Sequence, residues 1–198
     1  MIPILNSERH QQTGFNSELA VIQGCIDSLK QGEAFLASLT SEQYLASAEP
    51  YVTSSIGEHF RHILDVYRGV YLGVYSKEVG ACLSTHQARV IDYNQRRRGH
   101  RVETCRLQAL AEIEELLAWL ECLTLDDVKA PVQVISEVSV SQTQSAQMCS
   151  TLERELTFIA LHANHHFAMT KVTMTLLGRH VAADFGFAPA TLTYMGRS

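Results

Sequence analysis

The chain has 198 residues, of which 46% are hydrophobic and 19% charged, and a formal net charge of −5. This composition is typical of a folded globular protein and excludes extended disorder and low-complexity sequence. The acidic balance offers no basic field for a phosphate backbone, so we expect no nucleic-acid partner.

No window contains the roughly 18 uninterrupted apolar residues of a membrane-spanning helix, and the first residues lack the basic and apolar regions of a secretory leader. We therefore expect a cytoplasmic protein with no membrane partner. No change of composition marks a boundary, so residues 1–198 are predicted to form one domain. The five cysteines are scattered without C-x-x-C spacing, which indicates reduced thiols rather than a disulfide framework or a thiolate zinc site.

The first predicted helix runs from Phe15 to Leu39, although Gly24 and Gly32 weaken it. Its apolar residues recur at helical spacing: Leu19, Ile22, Ile26, Leu29 and Leu36. A short segment, TSEQYL, follows with a threonine or serine able to cap it, and Pro50 marks a break before the next long element.

The second predicted helix begins at a capping box, Ser55-Ile56-Gly57-Glu58, and spans about 56–75. One broad apolar face supports it: Phe60, Ile63, Leu64, Tyr67, Val70, Tyr71 and Val74. Residues 76–87 are predicted to form a loop, ARVIDYN at 88–94 a further short helix, and RRRGHR at 96–101 a charged break.

The third predicted helix covers 103–123. Its apolar side is formed by Leu107, Leu110, Ile113, Leu117 and Leu120. Residues 125–150 mix β-branched and polar residues in near alternation, which indicates a long loop or a short hairpin. The fourth helix begins at a second S-x-x-E signature, Ser150 to Glu153, and continues to about Leu177, where Gly178 supplies a left-handed cap. The tail from 183 to 198 has no regular period.

Four long helices with connections of medium length predict an all-α fold, a four-helix bundle with a long irregular insert before the last long helix. In such bundles, binding sites are built from side chains that project inward from facing helices.

The predicted fourth helix carries three histidines within five positions, in the stretch FIALHANHHFAMTKVTM. Its wheel places a polar stripe between two apolar faces: Glu155, His162, His166 and Thr173. His162 and His166 are one turn apart, with roughly 5–6 Å between their Cβ atoms, so a single ion can lie between the rings. His165 projects about 100° away and is the poorer candidate. The second helix offers His59 or His62 as a third ligand.

Spacing alone leaves an alternative, since buried histidines often only hydrogen-bond to carbonyls or carboxylates. No HExxH is present, which excludes a zincin metalloprotease.

The stretches SIGEHFRHILDVY and ELTFIALHANHHFAMT resemble the DinB/YfiT-like metalloenzyme superfamily. The resemblance implies a four-helix bundle of DinB/YfiT-like topology, often a homodimer, with a metal held by one histidine of the second helix and the H-x-x-x-H pair of the last long helix. Carried over, these are His62, His162 and His166. His62 is preferred to His59 because the family reads S-I-x-E-x-x-x-H-[IL]-x-D at this helix, with Asp65 at its end.

Some members of that superfamily resemble thiol S-transferases, so the resemblance implies a metal-dependent transferase acting on a small molecule, such as a low-molecular-weight thiol, or a hydrolase. The VIDYNQRRRGHR stretch and the 125–150 insert depart from typical members, so no substrate is assigned. Three neutral imidazoles leave a divalent ion with an open position, as in catalytic sites. Zinc or nickel is expected first, with iron or manganese also suited. The alternatives are a non-enzymatic, metal-stabilised bundle that acts in dimerisation or partner binding, and a stripe that binds water or an organic ligand.

Auxiliary residues are predicted around this site. Glu155, Glu58 and Asp65 are candidates for orienting the imidazoles. Arg96, Arg97 and Arg98 could clamp the carboxylates of an anionic substrate, or form a solvated basic turn. No general base is assigned.

Overall fold

Long helices form most of the structure, a computed structural model that describes residues 17–75 and 89–197. The described helices are α1 (Ser17–Ser38), α2 (Ser41–Tyr44), α3 (Ile56–Tyr75), α4 (Arg106–Glu121), α5 (Leu125–Val128), α6 (Leu152–Leu176) and α7 (Pro189–Tyr194). The described strands are β1 (Arg89–Asp92), β2 (Pro131–Glu137) and β3 (Ser145–Thr151). The start of the first predicted helix at Phe15, the predicted loop at 76–87 and Cys82 lie outside the described residues.

The predicted all-α class is wrong, because β1, β2 and β3 form a mixed sheet in that order. Strand β1 runs parallel to β2 with Arg89 opposite Val132, and β2 runs antiparallel to β3 with Pro131 opposite Thr151. The insert before the last long helix is therefore largely regular, and of the two structures predicted for 125–150 the hairpin is the one observed.

The predicted short helix at 88–94 is also wrong, since most of that stretch is strand β1. Ile91 is fully buried between Val90, which is 40% exposed, and Asp92. This alternation has a period of two, and the partner β2 supplies the ladder hydrogen bonds that a four-residue strand cannot make alone.

The predicted long helices are present, with changes at their ends. Helix α3 starts at the predicted capping box, where the Ser55 N–H donates to Glu58 Oε2 (2.7 Å) and the Glu58 N–H donates to Ser55 Oγ (3.1 Å). Helix α6 is capped by Thr151, whose hydroxyl accepts from the Arg154 N–H, and not by Ser150. Gly178 follows α6 with a φ of 68°, as predicted.

Helix α4 begins later than predicted, because Arg101–Glu103 forms a separate 3-10 turn. Its buried side differs as well: Leu107 is 66% exposed, whereas Ala109 and Leu116 are buried. The predicted irregular tail contains α7 at Pro189–Tyr194.

Helix α6 packs against both α1 and α3, and this packing positions the site. Phe167 of α6 lies against Phe60 of α3, with ring centroids 5.6 Å apart. Apolar burial of this kind is the main favourable free energy of folding, so it fixes the two helices side by side. Among the described helices, none is long and apolar enough to cross a membrane.

A buried ionic network ties the turn after β1 to two helices. Arg97 donates from Nε to Asp65 Oδ1 (2.6 Å) and from its backbone N–H to Asp65 Oδ2 (3.0 Å). Its two Nη atoms donate to the carboxylate of Glu112, at 3.0 and 2.8 Å. Both carboxylates are buried, so this network anchors the segment that carries Arg96 and Arg98.

Candidate metal centre

Four histidines meet where α3 faces α6. His59 and His62 lie one turn apart on α3, and His162 and His166 lie one turn apart on α6. Phe60 directly follows His59 in the chain and Phe167 directly follows His166, and these two phenylalanines are buried against each other. Packing of the apolar faces therefore brings the two histidine pairs together.

The structure brings together the three predicted ligands, His62, His162 and His166. One ring nitrogen of each lies within 4.8 Å of the others. The Nε2 atoms of His62 and His162 are 2.9 Å apart, and the ring of His166 is centred 4.5 Å from that of His62 and 4.7 Å from that of His162.

The size of this cluster suits a transition-metal ion. Bonds of ~2.0–2.1 Å from zinc to imidazole place two nitrogens of a tetrahedral site about 3.3 Å apart. The 2.9 Å separation of His62 and His162 is slightly shorter, so a small outward rotation of the rings accommodates the ion. In the absence of an ion, one of these two nitrogens donates a proton to the other.

The protonation of the cluster also suits a metal. Desolvation lowers the pKa of His62 to about 3 and that of His166 to about 2, and it lowers the pKa of His162 as well. The positive charge of Arg96 adds to this effect on His62 and His162. The three imidazoles are therefore neutral at physiological pH, which is the form that binds metals.

His59 serves as a partner to a candidate ligand. Its Nδ1 lies 3.0 Å from Nδ1 of His166, so these two atoms share one proton. If His166 binds an ion through Nε2, its Nδ1 carries the proton and His59 accepts it. His59 is only 9% exposed, and its own Nε2 is buried without a hydrogen-bond partner among the described residues.

Sequence reasoning treated His59 only as a rival to His62. The available signal was its position three residues before His62, which places both on one helix face. Its contact with His166 depends on how α3 and α6 pack, and no local pattern encodes that.

The carboxylates predicted to orient the imidazoles have other partners. Glu155 is buried and accepts from the hydroxyls of Tyr93 (2.7 Å) and Ser150 (2.6 Å). Glu58 caps α3, and Asp65 binds the Arg97 guanidinium. Within the described residues, none of the three carboxylates hydrogen-bonds to a histidine.

One side of the cluster opens to a cavity. His162 and the exposed His165 contribute to the lining of an open cavity of about 710 Å³, together with Phe158 and Arg154. The Phe158 ring stacks on His162 with centroids 5.5 Å apart. A small molecule can therefore approach the cluster from the His162 side.

Sequence comparison links this site to known proteins. The sequence model of the DinB superfamily matches residues 29–169, which include all four histidines of the cluster. FK506-binding protein 5 of Rhizopus delemar is 29% identical over 106 residues, or 54% of this chain and 28% of that protein. The chain thus spans less than a third of that relative's length. No solved structure matches the chain.

Proposed function

Because the chain belongs to the DinB superfamily, we propose that it binds one divalent transition-metal ion through His62, His162 and His166. The observation that carries the proposal is the convergence of three neutral imidazoles from two helices, one hundred residues apart in the chain. Zinc or nickel is the preferred ion on ligand chemistry, and iron or manganese is also compatible with imidazole.

The proposed role is catalytic, because three protein ligands are the pattern of sites that keep a coordination position open. A divalent ion at this position supplies Lewis acidity, which lowers the pKa of a water or thiol near it. The chain itself contributes neutral imidazoles, the positioning contact from His59 to His166, and an approach beside His162.

The reaction class we propose is transfer of, or to, a low-molecular-weight thiol, with hydrolysis of a small molecule as the second class to test. The cavity beside His162 supports a small substrate, since its volume of about 710 Å³ lies in the range of small-molecule sites. A homodimer is proposed as the assembly, and the cytoplasm as the location.

A non-enzymatic role is the competing proposal, and one observation favours it. The three imidazoles come from α3 and α6, two helices whose apolar faces form much of the core. An ion bound by these imidazoles therefore also stabilises the packing of the two helices. A structural ion of this kind contributes directly to folding free energy.

Cobalt(II) titration of the untagged, chelator-treated protein tests the metal site. Visible absorption bands that saturate at about one equivalent support a three-imidazole site with an open position. Unfolding of the chelated protein favours the structural role, whereas a chelated protein that stays folded favours the catalytic one. Absence of a cobalt spectrum contradicts the proposal.

A further inference from the structure

A second cavity, of about 540 Å³, lies between the turn after β1 and the end of β2. Its lining consists of Tyr93, Asn94, Arg96, Arg98, Ser136 and Glu137. Most of the lining surface is polar, which distinguishes this cavity from the one beside His162.

The neutral polar groups of this lining are already engaged. The Tyr93 hydroxyl donates to Glu155 at 2.7 Å. The Asn94 side chain donates from Nδ2 to Ser145 Oγ (3.1 Å) and accepts at Oδ1 from the Glu137 N–H (2.6 Å). These groups shape the cavity but have little capacity left for a ligand.

The two arginines differ from their neighbour Arg97. All three guanidinium nitrogens of Arg97 donate to Asp65 or Glu112. Arg96 and Arg98 form no ion pair or hydrogen bond within the described ranges 17–75 and 89–197. Arg96 and Arg98 are both exposed to solvent; desolvation lowers the pKa of Arg96, and the charge of Asp65 opposes this shift. Among the described residues neither guanidinium group meets a hydrogen-bond acceptor, so both keep donors for a ligand.

This cavity is close to the histidine cluster. The charge of Arg96 acts on both His62 and His162. The Tyr93 ring in the cavity wall lies 5.4 Å from Phe158, and Phe158 stacks on His162 at 5.5 Å. Tyr93 and Phe158 thus form an aromatic wall between the arginine-lined cavity and the cavity beside His162.

We infer that Arg96, assisted by Arg98, binds the carboxylate or phosphate group of a small molecule in this cavity. This inference gives the ligand of the cavity an anionic class and is independent of the proposed metal site. The planar guanidinium offers paired donors that match a carboxylate or phosphate. Glu137 is the single carboxylate in the lining against two guanidinium groups, so the cavity retains a net positive charge.

The test uses the purified, untagged protein as isolated, titrated calorimetrically with inorganic phosphate and, separately, with succinate at constant ionic strength. Arg96→Gln is expected to weaken binding of the preferred anion about tenfold or more, since a hydrogen bond to a charged group contributes that much. Arg98→Gln is expected to weaken it less, and Glu137→Gln to strengthen it. Arg179→Gln is the control, because this exposed arginine lines a different cavity.

Each outcome of the titrations either supports or overturns the inference. Selective loss in Arg96→Gln supports the inference, and the tighter of the two probes identifies the type of oxyanion. Equal loss in Arg96→Gln and Arg179→Gln, no change in either arginine variant of the cavity, or no binding to the parent would overturn it. If Arg96→Gln fails to fold, Arg98→Gln decides by the same comparison. Because all the variants keep His62, His162 and His166, a negative result counts against the anion site alone, and the cobalt titration tests the metal site separately.

Discussion

The Nε2 atoms of His62 and His162 lie 2.9 Å apart, although 100 positions separate the two residues in the chain. Two neutral imidazoles at this distance either share a proton or turn their lone pairs to a common ion. His166, whose ring is centred within 5 Å of both, makes the second arrangement a three-ligand site.

His59→Ala is expected to weaken metal affinity about 10- to 100-fold, because loss of an outer hydrogen-bond partner reduces the affinity of a ligating histidine by that amount. His59→Asn should recover part of the loss, since its side-chain oxygen can accept from Nδ1 of His166. Competition with a chromophoric chelator measures the affinity. His165→Ala is the control, because His165 is exposed; equal affinities for the His59→Ala and His165→Ala proteins would contradict the role given to His59.

The metal-free protein is expected to lose stability on acidification. Desolvation holds the pKa of His62 at about 3 and that of His166 at about 2, below their ordinary value of 6.5. At pH values between these lowered pKa values and 6.5, the unfolded chain binds protons that the folded chain does not. The free energy of unfolding therefore falls as the pH drops. Each such proton contributes up to ~1.4 kcal/mol per pH unit.

Urea unfolding at several pH values between 7.5 and 4.5 measures this slope. His62→Gln should reduce it, because one of the two strongly shifted groups is gone. A slope identical in the parent and in His62→Gln would show that His62 is protonated equally in both states.

Arg97→Ala is expected to lower the free energy of unfolding by about 3–5 kcal/mol, since it leaves buried carboxylates without their main counter-charge. The side chains of Asp65 and Glu112 are 1% and 5% exposed. Arg89→Ala is the control: the side chains of Arg89 and Asp127 are 33% and 31% exposed, so solvent screening limits their ion pair to at most about 1 kcal/mol. Chemical denaturation of both variants measures the difference, and similar losses would argue against a structural role for the Arg97 network.

Two glycine substitutions on helices should have opposite effects. A Cβ at Gly57 meets the backbone oxygen of Glu103 and the ring of Tyr44, so Gly57→Ala forces α3 away from the 3-10 turn and costs about 2 kcal/mol or more. A Cβ at Gly24 meets no atom within 4 Å, so Gly24→Ala should stabilise α1 by roughly 0.5–1 kcal/mol. Thermal unfolding compares the two, and a stabilised Gly57→Ala protein would refute the close approach.

The parts of the fold that could be predicted have local signals. The start of α3 follows from Ser55 and Glu58, three residues apart, and the end of α6 from Gly178. The predicted cap of α6 lies one residue before the observed one, because Ser150 and Thr151 both carry a hydroxyl that can cap a helix. Strand β1 is too short for its four residues to show a local strand pattern, and its parallel partner β2 lies about forty residues further along the chain.

The site likewise combines features with a local sequence signal and features that depend on tertiary packing. The spacing of His162 and His166 is a property of one helix, so the sequence could predict that they share a face. The choice of His62 over His59 came from resemblance to a family, and the contact between His59 and His166 depends on tertiary packing. Arg97 forms ion pairs with Asp65 and Glu112, whereas Arg96 forms no hydrogen bond among the described residues, and this difference arises only when α3, α4 and the turn after β1 meet.

Elemental analysis of the purified, untagged protein tests the central claim most directly, since a histidine tag would itself carry metal. The parent and His165→Ala should each contain about one equivalent of a transition metal, and His62→Ala and His162→Ala should contain almost none, because a two-histidine site binds weakly. The claim is contradicted if the parent and all three variants have the same metal content, or none, after growth in medium supplemented with zinc, nickel, iron and manganese.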